Sequence, residues 1–576
     1  MMRKKELRGV YYVLKVFITR NIKYILVILT VACLMLFFIN KKEGFHEDEI
    51  FSYGSASYFY DNVFRPYGIE DSTGEFVRKN ILKGNIFKNL KYYLLDHRKE
   101  MYGLIEKYKA AHRPVWRSPK DADDYLTVKG WKEVVNYPIS YYNQAKDVHP
   151  PLFYFLVHTV QILFYGKFSK YIVFLINICF AIPSLVLIKR LMEKMGKEQL
   201  AIPAMILYGF SMGAMCTAIF QRMYMMLSFF ILMFISVNFD IVKNNYEIDK
   251  KTWRWLGLVA ILGYLTQYYF CIFAAGVAFV VFINVCRSRD KKRIVSYILG
   301  YLKIALIGII LYPFSINHVF FSYRGVGVSV MHKGYLEKLS DYLSLVSYSF
   351  SLPVLLIGLI LIAMVVCSII RRREIGDFIS FVSLLFIPLI IYVLIVVKTA
   401  PEVEYVHTLR YLMCVLPVIS ILMVLSIDLF IRNIMVSQVV LIALTVGISI
   451  YGLATSEPFF LYKGYSRYIE IAEENKNDRF VYVGDTVFNH IQSMQEFAIY
   501  RESLILNEGQ LDSLTDNKEL EAEDEFILSI KKYKGDEYIL EQIIENTDFK
   551  DAELLYDDDG EVGCIIYRMK RVENEV

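Results

Sequence analysis

Long apolar runs constrain this chain more than any other feature. Runs near the length that carries a helix across the hydrocarbon layer of a bilayer, about 20 residues, occur at 22–40, 169–188, 199–218, 224–239, 255–269, 270–286, 297–316, 351–370, 378–397, 411–431 and 434–454. In a chain of 576 residues that is 55% hydrophobic and only 21% charged, these runs hold far more apolar surface than one soluble core can bury. Lipid must be the solvent for most of the chain. The expected fold is a polytopic α-helical membrane protein of about 11 transmembrane helices over residues 1–455, with a small soluble α/β domain over 456–576.

Charge sets the expected topology. The run Pro151 to Tyr165 is short and contains His158 and Gln161. If it does not cross, the basic clusters Arg3 to Lys23, Lys189 to Lys197, Lys243 to Arg254, Arg287 to Arg293 and Arg371 to Arg373 all fall on one side. That side is the cytoplasm by the positive-inside rule. If it does cross, the bias inverts for most of the chain, so Pro151 to Tyr165 is expected as an interfacial helix. The chain is then a multi-pass protein of the cell membrane, with its N-terminus cytoplasmic and its C-terminal domain extracytoplasmic. Function belongs in the first extracytoplasmic loop 41–168, the loop 317–350 and the tail.

The net charge of +5 is too small, and the Lys and Arg residues too scattered between apolar runs, for a nucleic-acid partner. Seven of eight cysteines lie in or beside apolar runs, which excludes a disulfide framework and a Cys-based metal site. Met1 to Lys23 is basic and precedes the first span, but no small-residue cleavage site follows, so that span is expected to be retained. The first loop gathers Tyr53, Tyr58, Tyr60, Lys91, Tyr92, Tyr93, His97 and Arg98, as amphipathic helices resting on headgroups do. In the tail, strands are expected at Arg479 to Val483, Ser503 to Leu506, Glu525 to Ser529 and Gly563 to Met569, with helices at Thr486 to Tyr500 and Tyr538 to Glu545. Gly484-Asp485, after the first strand, suits an ordinary turn better than a ligand site.

Four constellations could carry chemistry. Glu47-Asp48-Glu49 follows the first span; it reads either as acids favouring a helix N-terminus or as a general base or metal-holding carboxylate with a tuned pKa. Lys146 to Leu152 contains His149-Pro150-Pro151; tandem prolines start helices well but leave Lys146 and His149 unexplained. Phe220 to Tyr224 places Arg222 at a span end, where an Arg snorkels or meets water, a phosphate or a carboxylate. His407 to Tyr411 does the same with Arg410.

Taken in order, these landmarks resemble the membrane glycosyltransferases of the GT-C type, the superfamily of the protein O-mannosyltransferases and the bacterial aminoarabinose transferase of lipid A. The matching residues are Asp48-Glu49 with Tyr53 after the first span, His149 to Leu152 before the second, Arg222 to Tyr224 after the third and Arg410-Tyr411 opening a late span. The resemblance covers roughly residues 20–430. It implies a membrane glycosyltransferase that moves a sugar from a polyprenyl-phosphate-linked donor to an extracytoplasmic acceptor, a cell-envelope glycan, lipid or protein. It implies Asp48 as the catalytic carboxylate with Glu49 beside it, and His149, Arg222, Tyr224 and Arg410 at the donor phosphate. Many relatives have an acid two residues before this Arg, where Phe220 stands here, so a second carboxylate at that landmark is not expected.

An inverting transfer needs a base for the acceptor hydroxyl and cations for the leaving phosphate, and such a set can supply both. No cofactor is required by this chemistry, although a divalent cation at Asp48 and Glu49 stays open. Arg324, in the stretch Arg324-Gly-Val-Gly327, joins the phosphate-binding candidates, and its loop is expected to move and to order over the donor. The alternatives are a polysaccharide polymerase or ligase, which would rely on a large late loop rich in Arg and His, and a lipid-linked glycan transporter. A transporter would break its spans with charge or Gly/Pro.

Overall fold

The computed structural model describes residues 2–58, 77–108, 114–328, 332–370, 376–431, 433–484, 489–515, 517–532, 536–558, 560 and 562–572. The sequence-level readings on Tyr60, Arg371 to Arg373 and Asp485 lie outside these residues. Among the described residues, seven helices are long and apolar enough to cross a membrane: Thr19–Lys41, Tyr171–Lys194, Tyr224–Lys243, Tyr269–Arg287, Lys291–Leu311, Phe378–Thr399 and Ile434–Thr455. Three bent pairs bring the number to 10, and the 17-residue helix Lys250–Thr266 matches the remaining expected span. The chain is a multi-pass membrane protein.

The bent pairs are where the structure departs from a simple reading of apolar runs. Glu198–Gly209 and Met212–Ile219 meet at 61°, and Tyr405–Tyr411 and Met413–Asp428 at 44°. Tyr335–Phe350 meets Val354–Val366 at 91°, close to a right angle. Ser351, in the left-handed region at φ 52°, makes this corner. The helix Leu152–Leu163 has 12 residues, which at 1.5 Å each reach about 18 Å of a layer roughly 30 Å thick. It is too short to cross, as the charge argument required.

The described parts of the first loop are largely helical, with the acidic helix Glu47–Ser57 against Leu152–Leu163, Tyr137–Lys146 and Pro119–Leu126. The stretch after the span Lys291–Leu311 is helical as well, at Ser315–Phe320, Tyr323–Gly327 and Tyr335–Phe350.

The C-terminal domain is a five-stranded sheet of β1 (Arg479–Gly484), β2 (Glu502–Asn507), β3 (Glu525–Lys531), β4 (Phe549–Asp557) and β5 (Cys564–Arg571). The order is β2-β1-β3-β5-β4, with β1 parallel to β2 and β3 and the other pairs antiparallel. β4 was not expected, because its burial alternates weakly along an acidic edge strand. Of the helix expected at 486–500, the described residues form two short pieces, Asn489–Ser493 and Met494–Phe497. One sheet face packs on the helix Asp536–Asn546, while the other shares the main core through Phe480, Tyr482, Ile505 and Ile527. The domain is fastened to the first loop: Gln492 Nε2 donates to the Phe45 carbonyl at 3.0 Å, Glu43 N to the Leu461 carbonyl at 2.8 Å, and Arg117 pairs with Ser503 as an antiparallel bridge.

Candidate active site

The three adjacent acids open a helix, and helical spacing sends them to three different places. His46 caps the helix, its Nδ1 accepting from Asp48 N at 3.0 Å, while Glu49 Oε2 accepts from His46 N at 2.7 Å to complete a capping box. Both bonds satisfy amides that a helix start leaves unpaired. Glu49 is fully buried, its Oε2 3.0 Å from Lys42 Nζ and its Oε1 accepting from Gln221 N at 2.6 Å. Burial pushes its carboxyl up, against the pull of Lys42. Glu47 is half-buried, and burial followed by the neighbouring Asp48 pushes it up to about 7, while Lys531 of β3 opposes the shift. Asp48 faces the cavity described below.

Arginines surround Asp48. Arg410, in the turn Leu409–Tyr411 at a span bend, forms an ion pair with Asp48 Oδ2. Arg222 sits in the break between Met212–Ile219 and Tyr224–Lys243, only 1% exposed. Its Nη1 donates to the Asp48 carbonyl at 3.0 Å, Ser52 Oγ at 2.7 Å and the Tyr154 hydroxyl at 3.2 Å. Burial alone would raise the Asp48 carboxyl, but Arg222 and Arg410 outweigh it and hold the group well below the usual carboxylate range. Arg222 Nη2 lies 3.3 Å from His149 Nε2, and His149 Nδ1 lies 2.7 Å from Asp147 Oδ2. A guanidinium only donates, so Nε2 accepts and Nδ1–H points at Asp147. Burial lowers His149, against the pull of Asp147, in keeping with a neutral ring.

These groups line one cavity of about 890 Å³. Asp48, His149, Arg222, Tyr224, Arg324 and Arg410 are on its wall, and Glu49 is not. Among the described residues on the wall, Asp48 is the sole carboxylate, against Arg98, Arg222, Arg324, Arg410 and Lys398. The lining also includes apolar and aromatic residues, with Tyr269, Ile272, Ile309, Ile316 and Phe320. Cys271 and Ile272 also border a second, apolar groove between Tyr269–Arg287 and Gly376–Thr399. Arg324 reaches the cavity from a tightly packed turn: a Cβ on Gly325 would lie 2.1 Å from the Val319 carbonyl oxygen, so this glycine serves a close approach. Phe220 stacks on Phe460 at 4.3 Å between ring centres, filling an apolar seat.

The residues do not fit a divalent cation held by Asp48 and Glu49, since the two carboxylates diverge and guanidinium groups face Asp48. Among the described residues no three His, Cys, Asp or Glu side chains converge as a metal site would need. Lys398 and the cavity role of Arg98 are additions to the sequence reading. Arg98 stood out only as one of many basic residues in the first loop. Lys398 had one signal, a lysine ending a span on the face opposite the basic clusters.

No protein-family model matches the chain, and no curated protein matches it. Among solved structures, the chain is similar to ArnT from Cupriavidus metallidurans bound to undecaprenyl phosphate, at 9% identity over 94% of this chain and 97% of that one, with a TM-score of 0.47. It is also similar to the archaeal oligosaccharyltransferase AglB from Archaeoglobus fulgidus in complex with an inhibitory peptide and a dolichol-phosphate, at 9% identity over 88% of this chain and 74% of that one, with a TM-score of 0.42.

Proposed function

We propose that this protein is a membrane glycosyltransferase that moves a sugar from a polyprenyl-phosphate-linked donor to an extracytoplasmic acceptor. One observation carries the reading: a cavity whose described lining holds a single carboxylate among four arginines and a lysine, together with apolar residues, of which Cys271 and Ile272 also border a groove between two spans. Several cations around one acid suit a ligand that is itself anionic, and guanidinium groups match phosphate oxygens in pairs. The apolar groove suits the isoprenoid chain of such a ligand. The resemblance of Asp48-Glu49, His149 to Leu152, Arg222 to Tyr224 and Arg410-Tyr411 to the GT-C landmarks supports the same reading.

In this reading Asp48 is the base. The acceptor hydroxyl gives its proton to an Asp48 oxygen, its oxygen bonds to the anomeric carbon, and the bond from that carbon to the phosphate oxygen breaks. The electron pair leaves on the polyprenyl phosphate. Arg222, Arg410, Arg324 and Arg98 stabilise that charge, with Tyr224 beside them and His149 orienting Arg222 through its Nε2, and a phosphate leaving group then needs no acid. A carboxylate held low by Arg410 is a weak base, so donor binding has a second role. The phosphate engages Arg410 and Arg222, their hold on Asp48 relaxes, and its proton affinity rises where the acceptor arrives. Glu49 positions Asp48 through the helix cap.

Purified protein in vesicles, incubated with a panel of polyprenyl-phosphate sugars and an envelope extract as acceptor, tests this by mass spectrometry. Consumption of one donor with release of polyprenyl phosphate is expected. Binding without consumption of any donor, together with movement of the intact lipid between leaflets, would favour a transporter instead.

A further inference from the structure

Residues 77–108 carry a surface that sugar transfer leaves unexplained. The segment passes through the turns Val77–Ile81, Ile86–Lys91 and Tyr92–Asp96 into the helix Arg98–Tyr108. Its inner side is packed: Ile81 and Met101 are buried against Val326, and Arg98 Nη2 donates to the Gly325 carbonyl at 2.6 Å. Its exposed side carries bare apolar tips. Phe87 is 86% exposed, Leu95 74% and Leu82 55%, with Ile86 between them.

Two observations say what covers this side. The first is charge: within 77–96, Arg78, Lys79, Lys83, Lys88 and Lys91 are all exposed, against one acid, Asp96. Apolar tips among long basic side chains suit a leaflet with anionic headgroups, in which the tips meet acyl chains and the ammonium groups stay at phosphate level. The second is level. The helix Tyr323–Gly327, which holds the segment, follows the span Lys291–Leu311 through Ser315–Phe320. The segment is therefore tied to a span end whose own Ile310 and Leu311 are exposed.

We infer that residues 77–96 dip into an anionic leaflet and thereby hold Arg98 at the mouth of the cavity, as a lipid-anchored wall. The part played by Arg98 toward a donor phosphate rests on the function proposed above; the insertion itself does not.

The test is the fluorescence of F87W in vesicles of phosphatidylcholine with and without phosphatidylglycerol, after subtraction of the signal of the unsubstituted protein. Loss of emission to lipids brominated in the acyl chains, with protection from aqueous iodide, is expected, and the loss should grow with the anionic fraction. Quenching by iodide and none by brominated chains would overturn the insertion. Replacing Lys83, Lys88 and Lys91 together by Glu should reduce the brominated-lipid quenching; unchanged quenching would overturn the anionic requirement. Where a donor is turned over, Phe87→Asp should raise its KM, and an unchanged KM would overturn the link to Arg98. Because the quenching needs no substrate, a failed donor screen leaves it fully readable.

Discussion

Three adjacent acids of the same chemical class do different work here because a helix turns each one to a different neighbour. Glu49 is fully buried against Lys42, and removing one partner of such a pair leaves a charge without compensation. Lys42→Met is expected to destabilise the protein by about 3–5 kcal/mol, read as a lowered melting temperature in detergent, and Lys42→Met with Glu49→Gln should recover most of the loss. Glu47 is pushed up to about 7 by burial and by Asp48. It is neutral below that pH and adds a second negative charge beside Asp48 above it. Donor KM should therefore rise as pH passes through about 7, and Glu47→Gln should flatten the rise; the same inflection in the variant would assign it elsewhere. Asp48, His149, Arg222 and Arg410 were legible in the sequence because each is a polar residue at the edge of an apolar run, where the bland explanation is incomplete. The divergence of Asp48 and Glu49 was not legible, since it depends on Lys42 and Gln221 being brought to one side of the helix.

Among elements, the acidic helix Glu47–Ser57 is positioned by packing. Alanine normally stabilises a helix relative to glycine by roughly 0.5–1 kcal/mol, yet a Cβ on Gly54 would lie 2.0 Å from Tyr125 Cζ. Gly54→Ala is expected to reverse that sign, costing about 1–3 kcal/mol as overpacking does and lowering activity by shifting Asp48. A melting temperature equal to or above that of the unsubstituted protein would contradict this packing. The spans were readable because about 20 apolar residues have few alternatives to crossing a bilayer. Their bends were not, because corners such as Ser351 at φ 52° form inside otherwise continuous apolar runs. β4 escaped notice for a related reason: it is half-exposed and acidic, and its pairing with β5 gives it structure that its own pattern does not announce.

Over the whole molecule, the first loop and the segment after Leu311 contribute to the cavity wall, and the C-terminal sheet is fastened to that loop through Arg117 and Ser503. The core through Tyr465, Phe480 and Tyr482 continues into the spans, so the proposed boundary near residue 456 divides the chain without dividing its packing. We propose that the first loop and the C-terminal domain are extracytoplasmic. Glu519 is exposed on the C-terminal domain, and Glu519→Cys should react with an impermeant thiol reagent in intact cells; labelling only after lysis would invert the topology. The central claim is that Asp48 is the base of a sugar transfer, and one rate comparison tests it most directly. Asp48→Asn keeps the shape of the side chain and removes its ability to take a proton. With the donor identified by the panel, single-turnover transfer by Asp48→Asn should fall by about 10²- to 10⁴-fold, the range for loss of a general base, with donor binding retained. A variant that folds normally and keeps more than about a tenth of the rate, well above that range, would contradict the account and move the search for the base to Glu47.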